Sequence, residues 1–196
     1  MDNYHSAKLK ACKEFLDYKP AEIASQNELK CDESWIFVRY LYNDYKISKG
    51  SGLVYRLSDG TEAGYSETLS IFDLLCHRGE KSLSGEFATV NSLNDGPVSQ
   101  GVPMEDNSFA ELIDKHTKDF ILACEAIGFK AVSIGDVGFE LEIYKGLKAR
   151  LKFYKSDDEF PASITMLFEK NMLKYVNYET VFYIAGDIER LIASKM

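Results

Sequence analysis

Apolar residues recur at helical spacing at both ends of the chain and alternate with polar ones in between. From Tyr4 to Leu29 the pattern predicts two short helices. His5, Leu9, Cys12 and Leu16 share one face, and Pro20 stands where the second helix would open. Trp35 to Tyr42 is rich in aromatic and β-branched residues and predicts a strand. Asn43-Asp44 supplies a two-residue turn into Tyr45-Lys46-Ile47. A short strand at Leu53 to Leu57 precedes a helix capped by Ser66, running through Cys76 and closed by Gly79. Glycine, serine, asparagine, Pro97 and Pro103 then make residues 80–107 a long connection holding a short strand near Phe87 to Val90. It is the one internal boundary suggested in what otherwise reads as a single domain over residues 1–196.

Ser108-Phe109-Ala110-Glu111 forms a capping box, and a helix is expected to run to Ile127 with Gly128 as its stop. Its apolar stripe comprises Phe109, Leu112, Ile113, His116, Phe120, Ala123, Cys124 and Ile127. Strands are expected at Ala131–Ile134, Val137–Tyr144, Ala149–Lys155 and Ala162–Leu167. A last helix over Tyr178–Ala193 gathers Val181, Ile184, Ala185, Ile188, Leu191 and Ile192 on one face. Pairing the middle strands symmetrically across Lys145-Gly146-Leu147 sets Glu142 opposite Arg150 and Glu140 opposite Lys152. On the other face it sets Leu141 against Leu151 and Phe139 against Phe153. The fold class is therefore α+β: an antiparallel sheet of the C-terminal strands with helices 108–127 and 178–193 on one face. The N-terminal helices and the Trp35 hairpin extend or flank it.

Composition changes this picture little. The chain has 196 residues, 45% hydrophobic and 28% charged, enough to bury a core without disulfide or metal staples. A net charge of −8 and a pI near 5.0 argue against nucleic acid and anionic membrane as partners. The longest uninterrupted apolar runs, Phe120–Cys124 and Val181–Ala185, are far short of a membrane span. Cys12, Cys31, Cys76 and Cys124 have neither zinc nor iron–sulfur spacing, and their apolar neighbours fit buried free thiols. With the polar start MDNYHSAKLK, they point to a cytoplasmic location.

Chemical signals are sparse. The basic run Lys145, Lys148, Arg150, Lys152 and Lys155 faces Glu140 and Glu142 in the paired strands, so it reads as a solvated, self-neutralised face. Gly50-Ser51-Gly52 and Gly135-Asp136-Val137-Gly138 lack dinucleotide-fingerprint spacing and read as turns. His116, on an apolar stripe, reads as a core histidine. Cys76-His77 is adjacent at a helix end, whereas a nucleophile and its base are normally brought together by the fold. The acid run Asp157, Asp158 and Glu159 before Phe160-Pro161 reads as a strand connection or, alternatively, as oxygen ligands for Mg²⁺ or Ca²⁺. Asn177 is expected to cap the last helix, with Glu179 in its first turn. Tyr40, Tyr42, Tyr45 and Tyr55 line a groove or interface, or are core and rim.

The run Asp157-Asp158-Glu159-Phe160-Pro161-Ala162-Ser163, Leu167-Phe168-Glu169, Leu173-Lys174-Tyr175-Val176, Tyr178-Glu179 and the Gly135-Asp136 step resemble the uncharacterised prokaryotic family catalogued as domain of unknown function 3786. Weaker similarity reaches Leu83-Ser84-Gly85-Glu86-Phe87 and Tyr45-Lys46-Ile47. The resemblance implies a setting in anaerobes, some members standing beside iron–sulfur modules. Without a cysteine cluster here, such a link would act through a partner. It implies no reaction and no particular cofactor. Two functions are carried forward. One is a non-enzymatic binding or accessory protein with a protein or small-molecule ligand, linked to anaerobic cofactor or redox metabolism by resemblance alone. The other is a small hydrolytic enzyme using Asp157, Asp158 or Glu179, with or without a divalent ion. An interaction-only reading expects an exposed aromatic patch near Tyr40 and Tyr42.

Overall fold

The N-terminal pattern folds as two helices, α1 (Asn3–Asp17) and α2 (Pro20–Gln26). Lys19 turns the chain between them in a left-handed conformation (φ 54°), and Pro20 opens α2, where no backbone donor is needed. The computed structural model describes residues 3–93 and 108–196. The chain divides into two units, Met1–Lys81 with Lys174–Ile184, and Ser82–Leu173 with Ala185–Met196. Residues 94–107 of the expected connection, with Pro97 and Pro103, lie outside the described residues.

In the first unit β1 (Trp35–Tyr40), β2 (Asn43–Ser48) and β3 (Val54–Arg56) form a three-stranded antiparallel sheet in that order, followed by α3 (Tyr65–Cys76). The Trp35 hairpin therefore builds its own sheet and does not extend the C-terminal one. Its turn is Leu41-Tyr42, both at positive φ (44° and 65°), and Asn43-Asp44 begin β2. The asparagine and aspartate chemistry that suggested a turn lost to burial: Tyr40, Leu41 and Tyr45 are core residues. Gly64, not Ser66, is the N-cap of α3, and Glu67 reaches back to accept its N–H at 2.8 Å. The helix ends at Cys76 with extended backbone at His77. Gly79 is no cap: a Cβ there would stand 2.3 Å from the Lys174 carbonyl oxygen.

In the second unit β4 (Phe87–Thr89), β5 (Lys130–Ala131), β6 (Val137–Tyr144), β7 (Leu147–Tyr154) and β8 (Ser163–Glu169) form an antiparallel sheet of order β4-β8-β7-β6-β5. One face is apolar: Phe139, Leu141 and Ile143 of β6 and Leu147, Ala149, Leu151 and Phe153 of β7 are buried. Helix α5 (Thr117–Ile127) sets Phe120 against Phe139 and Phe153, with ring centroids 5.9 and 6.2 Å apart. Preceding it, α4 (Ser108–Lys115) buries Ala110 and Ile113. The expected single helix is thus two, broken at His116 (φ −128°), where the Thr117 hydroxyl bonds back to the Ile113 and Asp114 carbonyls. Gly128 stops α5 in a left-handed cap (φ 103°), as expected.

The β6–β7 hairpin keeps its expected faces but not its register. Lys145-Gly146 make a two-residue turn, Tyr144 pairs Leu147, and a bulge before Tyr144 sets Glu140 opposite Arg150 and Glu142 opposite Lys148. One carboxylate then serves two cations: Glu140 accepts from Lys148 at 2.7 Å and from Arg150 at 2.9 and 3.0 Å. The last helix, α6, spans Tyr178–Ala193 as expected. Its residues to Ile184 belong to the first unit and those from Ala185 to the second.

Candidate functional site

Helices α1 and α3 meet through Phe15 and Phe72, whose rings stack at 4.4 Å and 9°. Beside this pair the last turn of α1 supplies Glu14, and Tyr18 follows just past the end of the helix. Leu69, Asp73 and Cys76 fall on one stripe of α3, and the start of α6 brings Glu179, Thr180 and Tyr183. With Ala11 and Asn177 they line an open, shallow pocket of about 350 Å³ within the first unit. A larger groove of about 1010 Å³ adjoins it and shares Glu14, Tyr18 and Cys76. Its other walls include Lys19, Glu22, Asn27, His77, Arg78 and Lys81. Part of that wall is structural: Asn27 donates to the Leu75 carbonyl at 3.0 Å and Lys81 to the Leu74 carbonyl at 2.8 Å, occupying acceptors at the end of α3.

Asp73 is the pocket's organising carboxylate. It accepts the Asn177 N–H at 2.7 Å, the Asn177 side-chain amide at 2.8 Å and the Thr180 hydroxyl at 2.6 Å. The N-terminus of α6 is therefore capped from α3, and Asn177, expected to accept as the cap, is a donor instead. Glu179 accepts the Tyr183 hydroxyl one turn on, and the Tyr65 hydroxyl lies 3.3 Å from that of Tyr183. Burial, then the bond to Glu179, pushes the Tyr183 phenol well up, so it stays a neutral donor. Burial, then the charge of Asp73, pushes the Cys76 thiol up to about 11. His77 Nδ1 is 3.5 Å from Asp73 Oδ1, but the neighbouring thiol stays protonated at neutral pH and is no activated nucleophile.

The acidic run lies elsewhere. Asp157 Oδ1 accepts the N–H groups of Glu159 and Phe160 at 2.9 and 2.7 Å, which lower its pKa, and its own N–H bonds the Phe160 carbonyl. That carboxylate is occupied in shaping its own loop. Asp158, Glu159 and Phe160 are exposed. The loop belongs to the second unit and Glu179 to the first, so neither unit gathers these acids. Among the described residues no group of three histidine, cysteine, aspartate or glutamate side chains is placed to hold a metal ion. His116 is exposed beside Asp119, 3.4 Å away, and is not a core residue, because the helix breaks there. Of the tyrosine cluster Tyr40 and Tyr45 are buried and Tyr42 and Tyr55 half-buried, so the exposed patch near Tyr40 does not form. Of the cysteines Cys12 and Cys124 are buried, Cys76 is half-buried and Cys31 is exposed, correcting the expectation for the last.

A family model described as Domain of unknown function (DUF3786) matches residues 19–189. The chain belongs to that family. No curated protein and no solved structure matches it. The DUF3786 match covers the pocket residues of α3 and α6, whereas Ala11, Glu14, Phe15 and Tyr18 lie before residue 19 and outside it. Glu179 alone of the pocket acids stood out in the sequence. Glu14, Tyr18, Asp73 and Tyr183 did not, because each looks like an ordinary polar position on an amphipathic helix. The i, i+4 pairs Glu14/Tyr18 and Glu179/Tyr183 are the one local signal that could have found them.

Proposed function

We propose that this DUF3786 protein is a non-enzymatic binding or accessory protein that takes a small organic ligand in the pocket of its first unit. One observation carries this reading: polar groups from three helices converge beside a stacked aromatic pair in a concavity of ligand size. The state of those groups supports binding over chemistry. Cys76 is held as a thiol, Tyr183 as a phenol, and Asp73 is saturated by three uncharged donors. A reducing, cytoplasmic setting is part of the proposal, supported by four free cysteines. A role beside anaerobic redox or cofactor modules rests on the family resemblance and would run through a protein partner.

A fragment screen followed by amide chemical shifts tests the reading. Bound fragments should move the amides of Ala11, Leu69 and Thr180 saturably, and no fragment should be converted. A library that leaves these amides unmoved, or that is turned over, overturns it.

A further inference from the structure

Three carboxylates, those of Glu14, Asp73 and Glu179, line the 350 Å³ pocket, together with the rings of Phe15, Tyr18, Phe72 and Tyr183; no lysine, arginine or histidine is among its lining residues. Compensation is partial: Lys19, His77, Arg78 and Lys81 line the adjoining groove, which shares Glu14, Tyr18 and Cys76. Asp73 is bonded by uncharged donors, with His77 3.5 Å away. Glu179 is bonded by a phenol. Glu14 has Lys10 at 3.6 Å, but both side chains are largely exposed (59% and 78%), a geometry that solvent screens. The Cys76 thiol on the same wall is pushed up chiefly by burial, with Asp73 adding to the rise and Lys81 opposing it. Carboxylates and aromatic side chains lining one pocket favour positive charge on an apolar body, since the acids supply full negative charges and aromatic rings attract cations.

We propose that the ligand is a small organic cation, an ammonium or quaternary ammonium group on a compact apolar body. The charge sits between Glu14, Glu179 and the rings of Tyr18 and Tyr183, and the body lies against the Phe15–Phe72 pair. The proposal rests on the ligand-binding reading of this pocket and narrows it to one class.

The test titrates three molecules of one shape into the intact protein at low salt, with amide shifts as the readout: choline, its uncharged carbon analogue 3,3-dimethylbutan-1-ol, and the anion 3,3-dimethylbutanoate. Choline should move the Ala11, Leu69 and Thr180 amides saturably and bind about tenfold or more tightly than the alcohol, and the anion should be weakest. Glu179→Gln should weaken choline about tenfold and leave the alcohol unchanged. Glu14→Gln, at an exposed position outside the α6 cap, should do the same and stands in if the first variant misfolds. If the alcohol or the anion binds as well as choline, the cationic class is wrong and the ligand-binding reading survives. If none of the three moves a pocket amide, the cationic class is wrong, and the fragment screen decides the ligand-binding reading.

Discussion

The Ser70 hydroxyl in the middle of α3 is fully buried and finds no hydrogen-bond partner among the described residues. An unsatisfied buried donor is a net cost, so Ser70→Ala should raise stability by about 1 kcal/mol in urea unfolding. A loss of similar size would show that the hydroxyl is used. Glu67, one turn earlier, is the opposite case. Its two oxygens accept the Tyr45 hydroxyl at 2.7 Å, the Arg56 guanidinium at 2.6 and 3.2 Å, and the Gly64 N–H. Burial alone would push this carboxyl up, but the bonds from Arg56, Tyr45 and Gly64 outweigh it and hold it low. Glu67→Gln removes the charge that Arg56 and Tyr45 address and should cost about 2 kcal/mol. A variant that melts like the parent would show the cluster to be ornamental. Nothing near Glu67 in sequence announces its bonds to Arg56 and Tyr45, which lie 11 and 22 residues away.

Elements were legible where one period ran unopposed. The last helix and the outer strands of the hairpin sit where alternation and helical spacing placed them, because a shift of one residue would expose a whole apolar face. A shift of two exposes nothing, so the hairpin pattern could not choose between Glu140–Lys152 and Glu140–Arg150, and the bulge before Tyr144 decided it. The Leu41-Tyr42 turn was missed for a related reason: local turn propensity argued for Asn43-Asp44, and buried Leu41 prevailed. Long-range approach is equally silent in sequence, and glycine shows it. Gly52 and Gly60 both have φ of 72°, but a Cβ on Gly52 would meet the Cys12 carbonyl oxygen at 2.3 Å while one on Gly60 meets nothing. Gly60→Ala should therefore cost about 1 kcal/mol, the backbone penalty alone. Gly52→Ala should cost about 3 kcal/mol, because loop and α1 backbone must also part. Equal losses for the two would mean that the loop yields freely.

Across the molecule, titration links distant parts of the chain to one stability profile. Glu67 in the first unit and Glu140 in the second both have lowered carboxyl pKa values, the latter through the bond from Lys148 and, against the cost of burial, that from Arg150. An unfolded glutamate titrates near about 4.3. Their contributions are thus complete above that pH and disappear as pH falls through the lower folded values, because the unfolded chain takes up protons first. At the alkaline end the sign reverses. Burial pushes the thiol of Cys76 up to about 11, that of Cys124 to about 12 and the Tyr144 phenol to about 12. Unfolded cysteine and tyrosine titrate near about 8.5 and 10. The unfolded chain therefore ionises first as pH rises, and stability drains away from about pH 8.5 upward until the folded groups titrate as well. The urea midpoint should accordingly be flat between about pH 5 and 8 and fall on both sides. Each limb can be assigned separately. The double variant Glu67→Gln with Glu140→Gln should flatten the acid limb, and Cys124→Ala should shallow the alkaline limb alone. An acid limb of unchanged slope in the double variant would mean that other carboxylates govern it.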